Sequence, residues 1–289
     1  MLLLIDMKKV ILSYIEKVPA LSPTIAKIVQ LTSNDMSSAV DLVQAIKLDP
    51  ALTVKVLNLI NSSYFGMPQE VTSINRAIIL LGMNTIKNLA LSAEVLSSFN
   101  PAKGALFNVD KFWQHSLACA ISSKLIAQKI VKDPVKREEY FIAGLIHDIG
   151  KIFFIKHFPR DYLSMVKKIG PADSLNHKEK LVFSMDHAEV GALIAEKWAL
   201  PPDLVASIRL HHEKNVKDET SFLPASVYIS NLYCKTNGFG DDIGSSAVPM
   251  PDEQDWARLK LRKADEAAIL TCLPEKVEEA KVFLQVRSR

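Results

Sequence analysis

The chain is short of cysteine, of charge of one sign and of long apolar runs, and each shortage excludes a class of protein. Its three cysteines, Cys119, Cys234 and Cys272, are odd in number and far apart, with no C-x-x-C pair. Neither a disulfide framework nor a cysteine-only metal site is indicated. A net charge of +3 without a basic block gives no support to nucleic-acid binding. The longest apolar runs, near residues 77–81 and 140–146, cannot span a bilayer. Residues 1–5 are apolar, but Asp6 and Lys8-Lys9 follow at once, far short of a signal h-region. A cytoplasmic protein with no membrane partner is expected.

Strand-like alternation is lacking as well, and the pattern that remains is helical. Ile11, Tyr14, Ile15 and Val18 keep the i, i+3, i+4, i+7 spacing of a one-faced helix. Ser22-Pro23 and Asp49-Pro50 each read as an N-cap followed by proline in the first turn. Ser38 with Asp41 resembles a capping box, and Leu52, Val56, Leu59 and Ile60 form an inward stripe. Ser73 opens a helix that Gly82 ends, and Asn84 opens the next. This pair has a helix-turn-helix outline, but its second helix offers only Lys87 as a cation, too little for phosphate contacts. The expected class is all-α. An N-terminal helical half over 1–100 is followed by a hinge at 100–108 and a histidine-bearing half over 108–235. A mobile loop over 236–255 and two short helices in 256–289, the last starting at Pro274, complete the reading.

Five of the seven histidines fall in four segments that read as helical: His115, His147 beside Asp148, His187, and the pair His211-His212. Imidazole suits zinc, nickel and iron, and a carboxylate beside it, which suits manganese as well, supplies the charge that holds a divalent ion. On a helix, neighbours such as His147 and Asp148 diverge by about 100°. Both reach one ion only if it lies close to the helix surface. Gly150 would let another helix approach. A single buried histidine is ordinarily a hydrogen-bonded core residue, but several in one chain favour a shared metal site. Cys119, one turn after His115, reads as a small buried residue rather than a ligand. Asp186 and Glu213 are further carboxylates whose direction the spacing does not fix.

The segments carrying these residues resemble a known family. V-P-A-L at 18–21, D-P-A-L at 49–52, N-L-I-N-S-S-Y-F at 58–65 and I-N-R-A-I-I-L-L-G at 74–82 are similar to the HDOD family of bacterial signalling proteins. So are W-Q-H-S at 113–116, A-G-L-I-H-D-I-G-K at 143–151 and W-A-L-P at 198–201. The HDOD family lies within the HD superfamily of metal-dependent phosphohydrolases. The resemblance implies a helical bundle in which an N-terminal half packs on an HD-like half. Its implied ligands are His115, His147, Asp148, His187, His211, His212 and, at the closing acidic position, Asn231. Three departures from catalytic relatives stand out. No G-Y-P follows His211-His212-Glu213, Lys111 stands where three-metal relatives carry an acid, and Asn231 replaces an aspartate.

An amide is a neutral, weaker ligand, so one or two divalent ions are expected and a three-metal centre is not. The reading favoured is a regulatory signalling module with a non-catalytic HD-type site, acting on a protein partner or a phosphate-containing small ligand. The alternative is a phosphohydrolase or phosphodiesterase acting on a nucleotide or cyclic dinucleotide. In it Asp148 would be catalytic and Lys151 would neutralise the phosphate. Residues 64–68, Y-F-G-M-P, are either a partner contact or, the favoured choice, a plug between helices.

Overall fold

The computed structural model describes residues 6–32, 38–98, 108–170, 173–214, 222–240 and 249–285, and every regular element among them is a helix. The N-terminal half holds α1 (Met7–Glu16), α2 (Pro23–Thr32), α3 (Ala39–Lys47), α4 (Pro50–Ile60), α5 (Ile74–Leu81) and α6 (Met83–Ser98). The chain continues with α7 (Val109–Ile130), α8 (Pro134–Ile146), α9 (Ile149–His157) and α10 (Pro159–Val166). It continues through α11 (Leu175–Phe183), α12 (His187–Lys197), α13 (Pro202–Leu210) and α14 (Leu223–Thr236). Three helices follow, α15 (Glu253–Arg258), α16 (Lys263–Ala280) and α17 (Val282–Gln285).

Helix starts obey their local chemistry. Asp49 accepts the Leu52 amide at 2.9 Å with Pro50 behind it, and Ser38 and Asp41 cap α3 reciprocally. The α4 stripe of Leu52, Val56, Leu59 and Ile60 is buried, and each such side chain contributes about 1.5–3 kcal/mol. Gly82 ends α5 at φ 82°, a conformation that a residue with Cβ resists. The central helix is α7, packed against α8, α14 and α16. Gly144 allows the closest of these approaches, since a Cβ there would lie 2.6 Å from the Cys119 carbonyl. The halves are joined where α6 packs on α8, and again where Lys197 Nζ donates to the Ile15 carbonyl and Trp198 Nε1 to that of Pro19.

Several expectations are corrected. His147 and Asp148 do not lie within a helix. The chain turns between α8 and α9, and the Lys151 amide bonds back to the Asp148 carbonyl at 2.9 Å. Pro274 does not open a helix but sits, exposed, inside α16. Of the loop expected over 236–255, Thr236 belongs to α14 and Glu253 to Asp255 belong to α15, while 241–248 lie outside the described residues. Of the hinge at 100–108, only Asn108 is described, and it caps α7 by accepting the Lys111 amide at 3.0 Å. Of residues 64–68, Tyr64 is half-buried among the rings of Phe65, Phe141 and Phe283, while Gly66 and Pro68 are exposed. The would-be recognition helix α6 buries Ile86, Leu89, Ala90, Leu91, Ala93, Val95 and Leu96, which cover too much of its circumference to lie in a groove. Among the described residues no single helix is long and apolar enough to cross a membrane.

Candidate metal centre

The site forms where helix ends meet. His115 projects from the second turn of α7, Asp148 stands just before α9, His187 is the first residue of α12, and His211-His212 follow the last turn of α13. Breaking the helix at 147–148 removes the divergence that a continuous helix would impose, so His147 and Asp148 face one point. Asp148 occupies the cap position of α9 but makes no side-chain cap bond, which leaves its carboxylate to the site. Close backbone contact completes the placement. A Cβ on Gly150 would lie 1.9 Å from the His187 carbonyl, so glycine lets α9 ride on the start of α12.

His115, His147, His187 and His211 are each oriented from behind. His115 Nδ1 lies 2.6 Å from the Phe239 carbonyl, His147 Nδ1 2.7 Å from that of Gly144, and His211 Nδ1 2.6 Å from that of Ile208. A carbonyl only accepts, so each Nδ1 carries the proton and donates. His187 Nδ1 donates to the Glu179 carboxylate, which also accepts the His187 amide at 2.9 Å and the Tyr162 hydroxyl at 2.7 Å. All these rings therefore turn Nε2 towards Asp148. His187 and His211 stand 3.2 and 3.4 Å from its Oδ1, His147 and His115 3.3 and 3.7 Å from its Oδ2. His212, half-buried, brings its Nε2 to 2.8 Å from that of His187. Asn231 Oδ1 lies 3.2 Å from His115 Nε2.

Electrostatics show what the cluster requires. Burial would raise Asp148, but His147 and the Lys151 ammonium hold it well below the usual carboxylate range. Lys151, itself fully buried, donates to Asp148 Oδ2 at 2.7 Å. Burial opposes charge on His187 too, yet Glu179 and Asp148 lift it to about 9. Burial pushes His211 down to about 3 and His212 well below its ordinary value. Glu179 and Asp148 together thus favour the protonated form of His187.

A divalent ion fits the Oδ1 edge of Asp148. Asp148 Oδ1 is buried without a hydrogen bond, as is His147 Nε2 on the Oδ2 side. His187, His211 and His212 form one group whose donor atoms lie within 4.8 Å of one another, and His147, Asp148 and His211 form another. Imidazole nitrogens with a carboxylate suit zinc, iron, nickel or manganese. The Oδ2 edge differs, because Lys151 already sits there.

Sequence reasoning missed Glu179, which lies fully buried on α11 between Leu175 and Phe183. Its spacing of four residues from each buried neighbour was a usable signal. The carbonyls behind the rings carry no signal in side-chain identity. Asp186 is not a ligand: it caps α12 by accepting the Glu189 amide at 2.8 Å and pairs with Lys180. Glu213 and Lys111 are both exposed.

Comparison with known proteins agrees with this architecture. The HDOD domain matches residues 18–214. A crystal structure of an HDOD domain protein of unknown function from Geobacter sulfurreducens superposes with a TM-score of 0.80 at 22% identity, covering 96% of this chain and 97% of that one. A proposed phosphohydrolase from Shewanella amazonensis SB2B gives 0.75 at 23% identity, covering 94% and 97%. An uncharacterized protein of Treponema pallidum (strain Nichols) is 26% identical over 223 residues, 75% of this chain. The chain spans less than half of that relative's length, 42%. The matched family, the helical architecture and the histidine-aspartate cluster coincide over most of the sequence, and the chain belongs to the HDOD family.

Proposed function

We propose that the chain is a regulatory module whose buried cluster holds one divalent cation at the Oδ1 edge of Asp148 and does not turn over phosphate esters. The observation that carries this reading is Lys151. Its ammonium neutralises Oδ2 at 2.7 Å, the edge through which the carboxylate would bridge to a second ion. Hydrolysis by paired ions needs that bridge, since the two metals hold the attacking and leaving oxygens between them. Asn231 supplies no charge to offset the loss, and Lys151 is committed to Asp148 within the protein rather than to a phosphate.

In this reading His187, His211, His212 and Asp148 hold the ion, with Glu179 fixing His187 from behind. The bound cation supplies Lewis acidity and a fixed charge. The chain's residues supply orientation and exclusion of water, since His115, His147, Asp148, Lys151, His187 and His211 are all fully buried. Occupancy would order the junction of α9, α12 and α13. The output would pass to a protein partner, for which Val40, Leu48, Val54, Ile79 and Leu80 on α3–α5 offer exposed apolar side chains.

Elemental mass spectrometry of protein purified without a chelating column tests the reading. One equivalent of iron, zinc, nickel or manganese is expected, reduced by both Asp148→Ala and His211→Ala. A panel of phosphodiesters and phosphomonoesters should remain intact with that metal added. Two equivalents with turnover of any ester would instead establish the hydrolase, and equal emptiness of wild type and variants would remove the metal.

A further inference from the structure

A cavity of about 300 Å³ opens where residues 64–67 and the end of α5 meet α7 and α16. Ile121, Lys124, Leu125 and Gln128 face it, an i, i+3, i+4, i+7 stripe of α7 that a packed helix would ordinarily cover. Lys124 stands about 13 Å along α7 from His115, and no residue of the metal centre lines the cavity.

Its walls offer a ring site and a charge site. The half-buried rings of Tyr64 and Phe65 stand at 90° with centroids 5.1 Å apart and form a corner. Such a corner receives a flat ring, meeting its face on one side and its edge on the other. Charge comes from Lys124 and Lys276, and among the described residues no carboxylate lines the cavity. Their partners, Glu138 and Glu279, stand at 2.8 and 2.7 Å but outside its walls. Lys124 is fixed, since its ammonium also lies 5.2 Å from the Tyr64 ring centre and 5.9 Å from that of Phe65. Lys276 is not fixed, because its pair with Glu279, one turn along α16, is partly exposed and holds weakly. Burial keeps the Tyr64 hydroxyl above its ordinary pKa while Lys124 and Lys276 both oppose it, which places the two ammonium groups near the phenol.

We infer that this cavity binds a small planar aromatic carboxylate, its ring in the corner of Tyr64 and Phe65 and its charge against Lys276 and Lys124. The volume falls at the lower end of small-molecule sites, which suits one or two fused rings. The ligand displaces Glu279 from Lys276 rather than Glu138 from Lys124, because the exposed pair is the weaker one. Bound there, it joins residues 64–67 to α7 and α16.

The probe is 2-naphthoate, titrated calorimetrically into the full 289-residue chain both as purified and after chelation. The same binding is expected in both, so this site and the metal centre can fail separately. One equivalent should bind, more weakly as salt rises. Lys276→Gln should weaken binding by about tenfold. Lys129→Gln, at an exposed lysine of α7 outside the cavity, should leave it unchanged. Leu125→Trp should abolish binding by filling the space, and Gln128→Trp replaces it if circular dichroism shows that variant unfolded. Naphthalene-2-methanol, which keeps the rings and loses the charge, should bind about tenfold more weakly than the carboxylate. The inference is overturned if folded wild type shows no saturable binding, or if the alcohol binds as tightly. Wild-type affinity in Lys276→Gln or in the folded cavity-filling variant would overturn it as well.

Discussion

At the scale of single residues, the centre is governed by groups standing behind it. Glu179 fixes His187 through two hydrogen bonds and is itself held by Tyr162. Replacing it by glutamine keeps the shape and removes the charge. Glu179→Gln should therefore weaken divalent binding by about 10–100-fold while leaving the circular dichroism spectrum unchanged, as competition with a metallochromic dye would read. Lys151→Met probes the other edge. It leaves Asp148 buried without its ammonium partner, and losing one member of such a pair costs about 3–5 kcal/mol. Denaturant unfolding should register that loss in chelated protein, and added divalent cation should restore part of it by taking the vacated edge.

At the scale of elements, backbone chemistry makes two further forecasts. Pro274 lies exposed inside α16, where proline is about 3 kcal/mol worse than alanine. Pro274→Ala should raise the melting temperature, by less than that figure implies because proline also restricts the unfolded chain. Gly150→Ala should do the reverse, since its Cβ would meet the His187 carbonyl at 1.9 Å. Lower melting temperature and lower metal content should appear together in that variant.

These same elements show what could be read in advance. Asp49-Pro50, Ser38 with Asp41, and Ser73 with Gly82 were legible because capping is local chemistry between neighbours. The break at His147-Asp148 was not, because the apolar pattern runs on from Phe141 through Phe153 and hides a turn. Pro274 misled because proline suits a helix's first turn, and nothing nearby showed that α16 had begun at Lys263. The ligands were legible as residue types. Glu179 was passed over because an acidic helical residue ordinarily faces water, and the Phe239 carbonyl because a main-chain acceptor has no letter of its own.

At the scale of the whole molecule, the centre ties together the ends of α9, α12 and α13, and α12 in turn touches the N-terminal half through Lys197 and Trp198. A cation bound only by the folded chain stabilises all of it, by about 2.7 kcal/mol at a hundredfold excess over Kd. Calorimetry should show one transition that moves upward with divalent cation in wild type and stays fixed in His211→Ala.

The glycine at the start of α9 has a mechanical meaning for such a molecule. Most helix pairs touch through side chains, which rotate or bend and so absorb small displacements. Between Gly150 and the His187 carbonyl there is no such cushion, and a Cβ on Gly191 would stand 3.2 Å from the Gly150 amide nitrogen. The joint is stiff in compression. A displacement of Asp148 at the start of α9 therefore meets the backbone of α12 directly, and α12 ends at Lys197, which donates to the Ile15 carbonyl.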